Sequence, residues 1–278
     1  MIPPIRAALT AFTGAPASLV WCLRMDPNIA EVYGAPDWFA TTYRVVFDGL
    51  VQEGDELGVH PHNWRWEGEW IADHEDDDWV VHCADVGLQA FRGAFGEPCR
   101  VYRHGDGYMS DRLLAAIERA GVAVDLTVEP GRPALPGLHA LEPSRGSLPD
   151  TTAVPVCAYR PVAGSFRVPD PARDDGPVFL PLTPGRVTRI GMTGAQPVHT
   201  GSYPTLLLWC DPTDFAAELD CRLAQPDVSH LAFGIHSQAA TDVDIMHAIL
   251  QNLAQVCAAL PNRVQWCTAS AAAAIACA

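Results

Sequence analysis

The chain has 278 residues, 49% of them hydrophobic, and carries a formal net charge of −15, with all eighteen basic residues arginine. That length and hydrophobic content support one large packed domain over 1–278. The acidic balance excludes phosphate-driven nucleic-acid binding and attachment to anionic membranes.

In chain order, short apolar runs alternate with helical patterns. "SLVWCLRM" (18–25) predicts a strand, and "PDWFATTYRVVFDGLVQEG" (36–54) a helix with apolar residues at three- and four-residue spacing. "DELGVH" predicts the second strand. Residues 76–96 predict a helix with an acidic first turn and a closing glycine. "PCRVYRHG" is a third strand. "SDRLLAAIERAG" (110–121) is a helix with Ser110 as N-cap, and "VAVDLTV" a fourth strand. Residues 130–177 are rich in Pro, Gly and Asp and read as a long insertion. Strands are then expected at "PVFLPLT", "TLLLWCDP", "SHLAFGIHS" and "RVQWCTA". Helices are expected from Thr213, over Asp242–Leu260 and in the alanine-rich C-terminus.

Near-continuous apolar strands alternating with helices indicate α/β architecture with parallel strands. The number of repeats points to a (β/α) barrel. There is no GxGxxG or P-loop to favour a nucleotide fold. The nine cysteines show no CxxC spacing and mostly sit in apolar runs, as buried thiols of a cytoplasmic protein do. No leader or membrane span is evident near the start, "MIPPIRAALTAF".

In such barrels chemistry gathers at the carboxyl ends of strands. Polar residues recur there: Arg24 and Asp26, His60 and His62, Arg103, His104 and Asp106, Asp125 and Thr127, Asp211, and His236-Ser237-Gln238. Taken singly, each has a structural explanation. Asp26 before Pro27 starts a turn, Arg24 and Asp26 make an ion pair, and His104 is a satisfied loop residue. The histidine pair is different. Two imidazoles two apart at a strand end share a face. Nitrogen and oxygen donors without thiolates suit zinc or a similar divalent ion. His74, His82, His139, His199, His230 and His247 fall outside this pattern and read as surface or packing residues.

The sequence resembles the polysaccharide deacetylase family, whose fold is a distorted (β/α)7 barrel. "GDELGVHPHNW" resembles that family's second motif. "YRHGDGYMSDRLLAAIERAGVAVDLTVEPG" resembles its third and fourth, and "LAFGIHSQ" its last. The resemblance covers most of residues 18–130 and 204–270. It implies metal-dependent removal of an acetyl or similar acyl group from an N-acylated sugar or other amide. His60, His62 and Asp26 would hold the metal, a divalent ion for which the donors imply zinc. His236 would protonate the leaving amine, Arg103 would orient the base, and Asp125 would hold His236 or Arg103 in its working state. Trp64, Arg24 and Asp106 would line the substrate site, with Trp66 and Trp70 as further sugar-stacking candidates.

Two departures qualify the resemblance. The family's second motif spaces its histidines four apart, and here the position four after His60 is Trp64. Its first motif is an Asp-Asp pair on the first barrel strand. "PPIRAALTAFTGAP" looks like the helix after that strand, so the strand is expected before Met1 and the barrel open at its N-terminal side. An open sheet edge predicts dimerisation or poor solubility. Two alternatives therefore stand: a catalytically inactive barrel serving as a binding or partner protein, and a metal-free glycosidase using Asp26 and Asp106.

Overall fold

The computed structural model describes residues 2–135, 143–193, 196–226, 228–236, 242–261 and 263–277. The single domain expected over 1–278 divides into two compact units. One, the hairpin unit, comprises Met1–Ser18 and Leu182–Cys267. The other, the sheet unit, comprises Leu19–Pro181 and Thr268–Ala278.

The hairpin unit opens with helix α1 (Ile2–Thr13). The sheet unit begins with strand β1 (Val20–Leu23), followed by short helices α2 (Pro27–Tyr33), α3 (Trp38–Thr42) and α4 (Arg44–Gln52). Then come β2 (Glu56–Val59), β3 (Trp64–Trp66), β4 (Trp70–Asp73), helix α5 (Asp77–Phe95), β5 (Val101–Tyr102), helix α6 (Asp111–Arg119) and β6 (Val124–Asp125). The stretch expected as an insertion carries β7 (Ser144–Arg145), β8 (Pro161–Val162) and β9 (Ser165–Pro169), and leads to β10 (Val178–Phe179).

Strands β1, β2, β5, β6 and β10 form one sheet in that order, every neighbouring pair parallel. Spatial order equals chain order, as in a singly wound (β/α) sheet, whereas a doubly wound sheet reverses at a switch point. No ladder joins β10 to β1 among the described residues. Side chains alternate across the sheet. Leu23, Val59, Tyr102 and Phe179 meet Val80, Ala84 and Leu88 of α5 and Leu113, Leu114 and Ile117 of α6. On the opposite face Val101, Val124 and Val178 pack with Ala269 and Ala273. These alanines belong to the last helix, residues 269–276, whose Ser270 backbone N–H and hydroxyl both donate to Glu56.

The helix signals hold where caps are explicit. Asp76 caps α5 by accepting from Trp79 N, and Ser110 caps α6 by accepting from Leu113 N. The long helix expected over 36–54 is interrupted. Tyr43, at φ −111 and ψ 27, ends α3 and caps α4. The β-branched and aromatic run Thr41-Thr42-Tyr43 weakens the helix there.

The second half corrects the sequence reading most. The hairpin unit is built on β11 (Pro184–Thr193) and β12 (Gln196–Thr205), an antiparallel pair. Helix α7 (Pro212–Leu223) packs on β11 and on α8 (Val243–Ala259), which also packs on α1. The helix noted above at residues 269–276 is α9 (Ala269–Ala276). Residues 206–209, 229–236 and 263–268, expected as strand cores, are not strands. Leu206, Leu207, Leu208 and Trp209 are buried all the same. Their backbone is satisfied piecemeal: Leu206 N–H donates to Thr183 O, and Asn252 donates to Leu208 O and Cys210 O. Among the described residues no helix is long and apolar enough to cross a membrane.

Candidate functional site

Because β1, β2, β5 and β6 are parallel, their carboxyl ends lie along one edge of the sheet. The residues that follow each strand meet there. His60 follows β2, and its N–H donates to Leu23 O. Its Nδ1 lies 2.9 Å from the carbonyl oxygen of Arg103. A carbonyl only accepts, so Nδ1 carries the proton and Nε2 presents a lone pair. His62 brings its own Nε2 to 3.2 Å from that atom, the two rings edge to face.

Either a proton is shared between these nitrogens or both lone pairs face one cation. The spacing is close to that of two neighbouring donors around a tetrahedral zinc ion with Zn–N of about 2.0–2.1 Å. Two positions of such an ion are therefore matched. Among the described residues, no group of three His, Cys, Asp or Glu completes the set.

Asp26 has a different task from the one expected. It is fully buried. One carboxylate oxygen caps α2 by accepting from Ile29 N at 3.0 Å. The other accepts from Arg24 Nε at 2.5 Å and from His62 N at 3.0 Å. Asp26 thus anchors the His62 backbone, and both its oxygens are committed. Arg24 also donates to Asn28 and lies 5.5 Å from the Trp64 ring centroid. Trp64 in turn meets the edge of His62. Arg24, Trp64 and the histidine pair are therefore brought together.

Asp106 comes from the turn after β5. Its carboxylate oxygens lie 3.7 Å from His62 Nδ1 and 3.9 Å from His74 Nε2. His74 was missed in the sequence. It is buried at the end of β4, stacks on Tyr108 and accepts from the Asn63 amide through Nδ1 at 2.9 Å. Its proton is therefore on Nε2, toward Asp106. Burial, helped by the Arg132 charge, lowers its pKa to about 4. The available signal was the Glu67-Gly68 turn between Trp66 and Trp70, which makes β3 and β4 a hairpin and returns the chain to this edge.

Arg103 donates to Leu126 O at 2.6 Å and pairs with Glu129 at 3.3 Å. Glu129 also pairs with Arg132, and both were missed. Asp125 corrects the sequence reading. Its register partners are Tyr102 and Phe179, so it shares their helix-covered face and not the face of His60. Its carboxylate accepts from Thr127 N and Oγ1. Burial raises its pKa to about 7, against those bonds. Next to it His104 donates its N–H to Thr127 Oγ1 and places Nδ1 2.6 Å from Tyr102 Oη. Burial lowers the His104 pKa to about 3.

His236 belongs to the hairpin unit, where it is exposed and packs beside Trp209. Ser237, Gln238 and His139 lie outside the described residues.

Together these features define a mixed α/β protein whose parallel sheet gathers imidazoles, carboxylates and guanidiniums at its carboxyl edge. No family model matches the sequence, and no curated protein does. Among solved structures the chain is similar to a Mycobacterium smegmatis protein described as a "putative polysaccharide deacetylase". The match has a TM-score of 0.53 at 14% identity and covers 99% of this chain and 76% of the other. At that identity the likeness is one of fold.

Proposed function

We propose that the chain is a polysaccharide-deacetylase-like hydrolase that removes an acyl group from an amide, with its site at the carboxyl edge of the parallel sheet. The observation that carries this reading is the convergence of His60 and His62, Nε2 to Nε2 at 3.2 Å, on a deacetylase-like sheet. In this reading the pair holds a divalent ion, zinc by donor chemistry. When bound, such an ion polarises an acyl carbonyl and acidifies a water molecule. The chain's own residues do the rest. The Arg103 carbonyl fixes the His60 tautomer, Asp26 anchors the His62 backbone, and Trp64 with Arg24 offers an aromatic and cationic wall to a carbohydrate.

Zinc titration of metal-stripped protein and of His60→Ala, with acetate release from N-acetylated sugars measured in parallel, tests the proposal. One zinc per chain, lost in His60→Ala, together with acetate release supports it. Equal zinc uptake by both proteins overturns the metal site.

A second reading, a non-catalytic binding protein, is favoured by the full engagement of Asp26 and the lack of a third donor among the described residues. Zinc binding that depends on His60 without any acetate release would select it. The glycosidase alternative is disfavoured by the same engagement of Asp26.

A further inference from the structure

We propose that the β3–β4 hairpin is a glycan-binding strip. Trp64, Trp66 and Trp70 form one aromatic row that carries an oligosaccharide outward from the candidate site, so the chain takes linked N-acylated sugar units in preference to single ones. The inference rests on the reading of this sheet edge as a site for acylated carbohydrate, and it needs no bound ion.

Strand register sets the row. In this antiparallel pair Trp64 stands opposite Ala72, and Trp66 opposite Trp70. Directly opposed residues share a face, as do residues two apart on one strand. The three indoles therefore lie on one side of the hairpin. The inner end meets the candidate site. The Trp64 and His62 rings pack perpendicular with centroids 5.8 Å apart, and the Arg24 guanidinium lies 5.5 Å from the Trp64 centroid. The outer end is open. Trp66 is 52% exposed, and it packs with Trp70 edge to face at 5.1 Å. In that geometry the two rings do not cover each other as a parallel stack would.

The row is not what docks the hairpin, because the opposite face does that. Arg65 lies over the Trp79 ring of α5 at 4.6 Å and donates to Asp76 at 2.8 Å. Arg145 of β7 holds Glu67 through two hydrogen bonds, and β7 pairs with β4. The aromatic surface at the outer end is thus surplus to packing, and such surface marks an interaction site.

Size and charge select the partner. A fully covered indole buries about 150–250 Å². Trp64 and Trp70 are already partly buried. A stable protein interface takes about 800 Å² on each side, more than this row offers. The net charge of −15 opposes an anionic membrane. A sugar chain needs only a narrow strip. The C–H faces of its pyranose rings lie on aromatic planes, while its hydroxyls remain in water or bond to placed polar groups such as the Arg24 guanidinium, whose side chain is 28% exposed. Residues two apart on a strand are separated by about 7 Å, wider than one pyranose ring, so Trp64 and Trp66 serve successive units.

Calorimetric titration in EDTA tests the strip, with N-acetylglucosamine and its β-1,4-linked hexamer as probes. The hexamer is expected to bind about 10-fold or more tightly than the single sugar. Trp66→Val keeps the strand preference and should remove that gain while melting near wild type. Trp66→Tyr retains an aromatic face and should keep most of it. Equal affinity for the two probes in wild type, or a gain that survives Trp66→Val, overturns the inference. A gain lost equally in Trp66→Tyr overturns it too, since hairpin packing would then be the cause. A wild-type dimer that Trp66→Val dissolves, with no hexamer binding, would assign the row to a protein partner and also overturn it. Binding is read without metal, so the result stands apart from zinc uptake and acetate release. Hexamer preference without acetate release would sink hydrolysis and keep the strip; acetate release without hexamer preference would do the reverse.

Discussion

Gly105 shows how tightly the site is built at the scale of single residues. A Cβ there would sit 2.5 Å from two atoms of the His62 ring. Real side chains do not come so close, so the ring must turn or the strand end must shift. Gly105→Ala is therefore expected to weaken zinc binding about 10-fold or more, in line with the loss of an orienting contact. The fold should survive, since the added methyl faces a side chain and not the sheet core. Zinc titration beside thermal melting checks this; an unchanged affinity would mean that His62 can relocate freely. Single-residue legibility divides along similar lines. His60 and His62 announced themselves by spacing at the end of an apolar run. His74 did not, because its role depends on the β3–β4 hairpin returning the chain and on Asn63 fixing its tautomer. Asp26 before Pro27 carried two signals, a helix cap and a ligand. The cap is what the structure shows.

At the scale of elements, the segment after β6 carries more weight than its Pro- and Gly-rich composition suggests. Glu129, Arg132 and Thr151 form a buried polar bridge: Thr151 donates to Glu129 O at 2.6 Å, and Arg132 reaches the Gly105–Gly107 turn. Replacing Arg132 with methionine keeps much of the volume but strips two backbone carbonyls and a buried carboxylate of a donor. Loss of about 3 kcal/mol or more is expected, the usual result of breaking a buried pair. Arg132→Lys should recover part of it. Urea unfolding measures both, and a loss below about 1 kcal/mol for Arg132→Met would show that Glu129 and the turn find other partners. This bridge was illegible in the sequence because, apart from the Glu129–Arg132 pair, its bonds join residues 19 to 26 apart and no periodicity links them. Helices α5 and α6 were legible because their information is local, a cap followed by an apolar stripe. The runs around Leu206–Trp209 were misread for the opposite reason. Burial was legible there, but strand pairing is decided by distant chain.

For the whole sheet unit, acid stability follows from groups that the core holds in the wrong charge state for water. His74 and His104 have pKa values lowered from 6.5 to about 4 and about 3 by burial. The folded state therefore binds fewer protons than the unfolded one below pH 6.5. Their contribution is complete above that pH and is lost as pH falls through the folded values. Asp125 works in the opposite direction. Burial raises its pKa from 3.8 to about 7, so the folded state holds an extra proton across that range. Its contribution is greatest below about pH 4 and is lost as pH rises to about 7. Between about pH 4 and 6.5 the two histidines outweigh the one aspartate, and stability should rise with pH. From there to about pH 7 only Asp125 still changes, and stability should fall slightly. Asp125→Asn isolates the second effect. Asparagine mimics the protonated acid that the folded state prefers, so the variant should match wild type near pH 4. It should gain on wild type at about 1.4 kcal/mol per pH unit where Asp125 alone titrates, levelling off above pH 7. All other titrating groups cancel in the difference between the two proteins. Urea midpoints at pH 4.5, 6 and 8 measure it. A difference that does not change with pH would mean that Asp125 is charged throughout, and its placement on the helix-covered face of the sheet would need another cation to explain it.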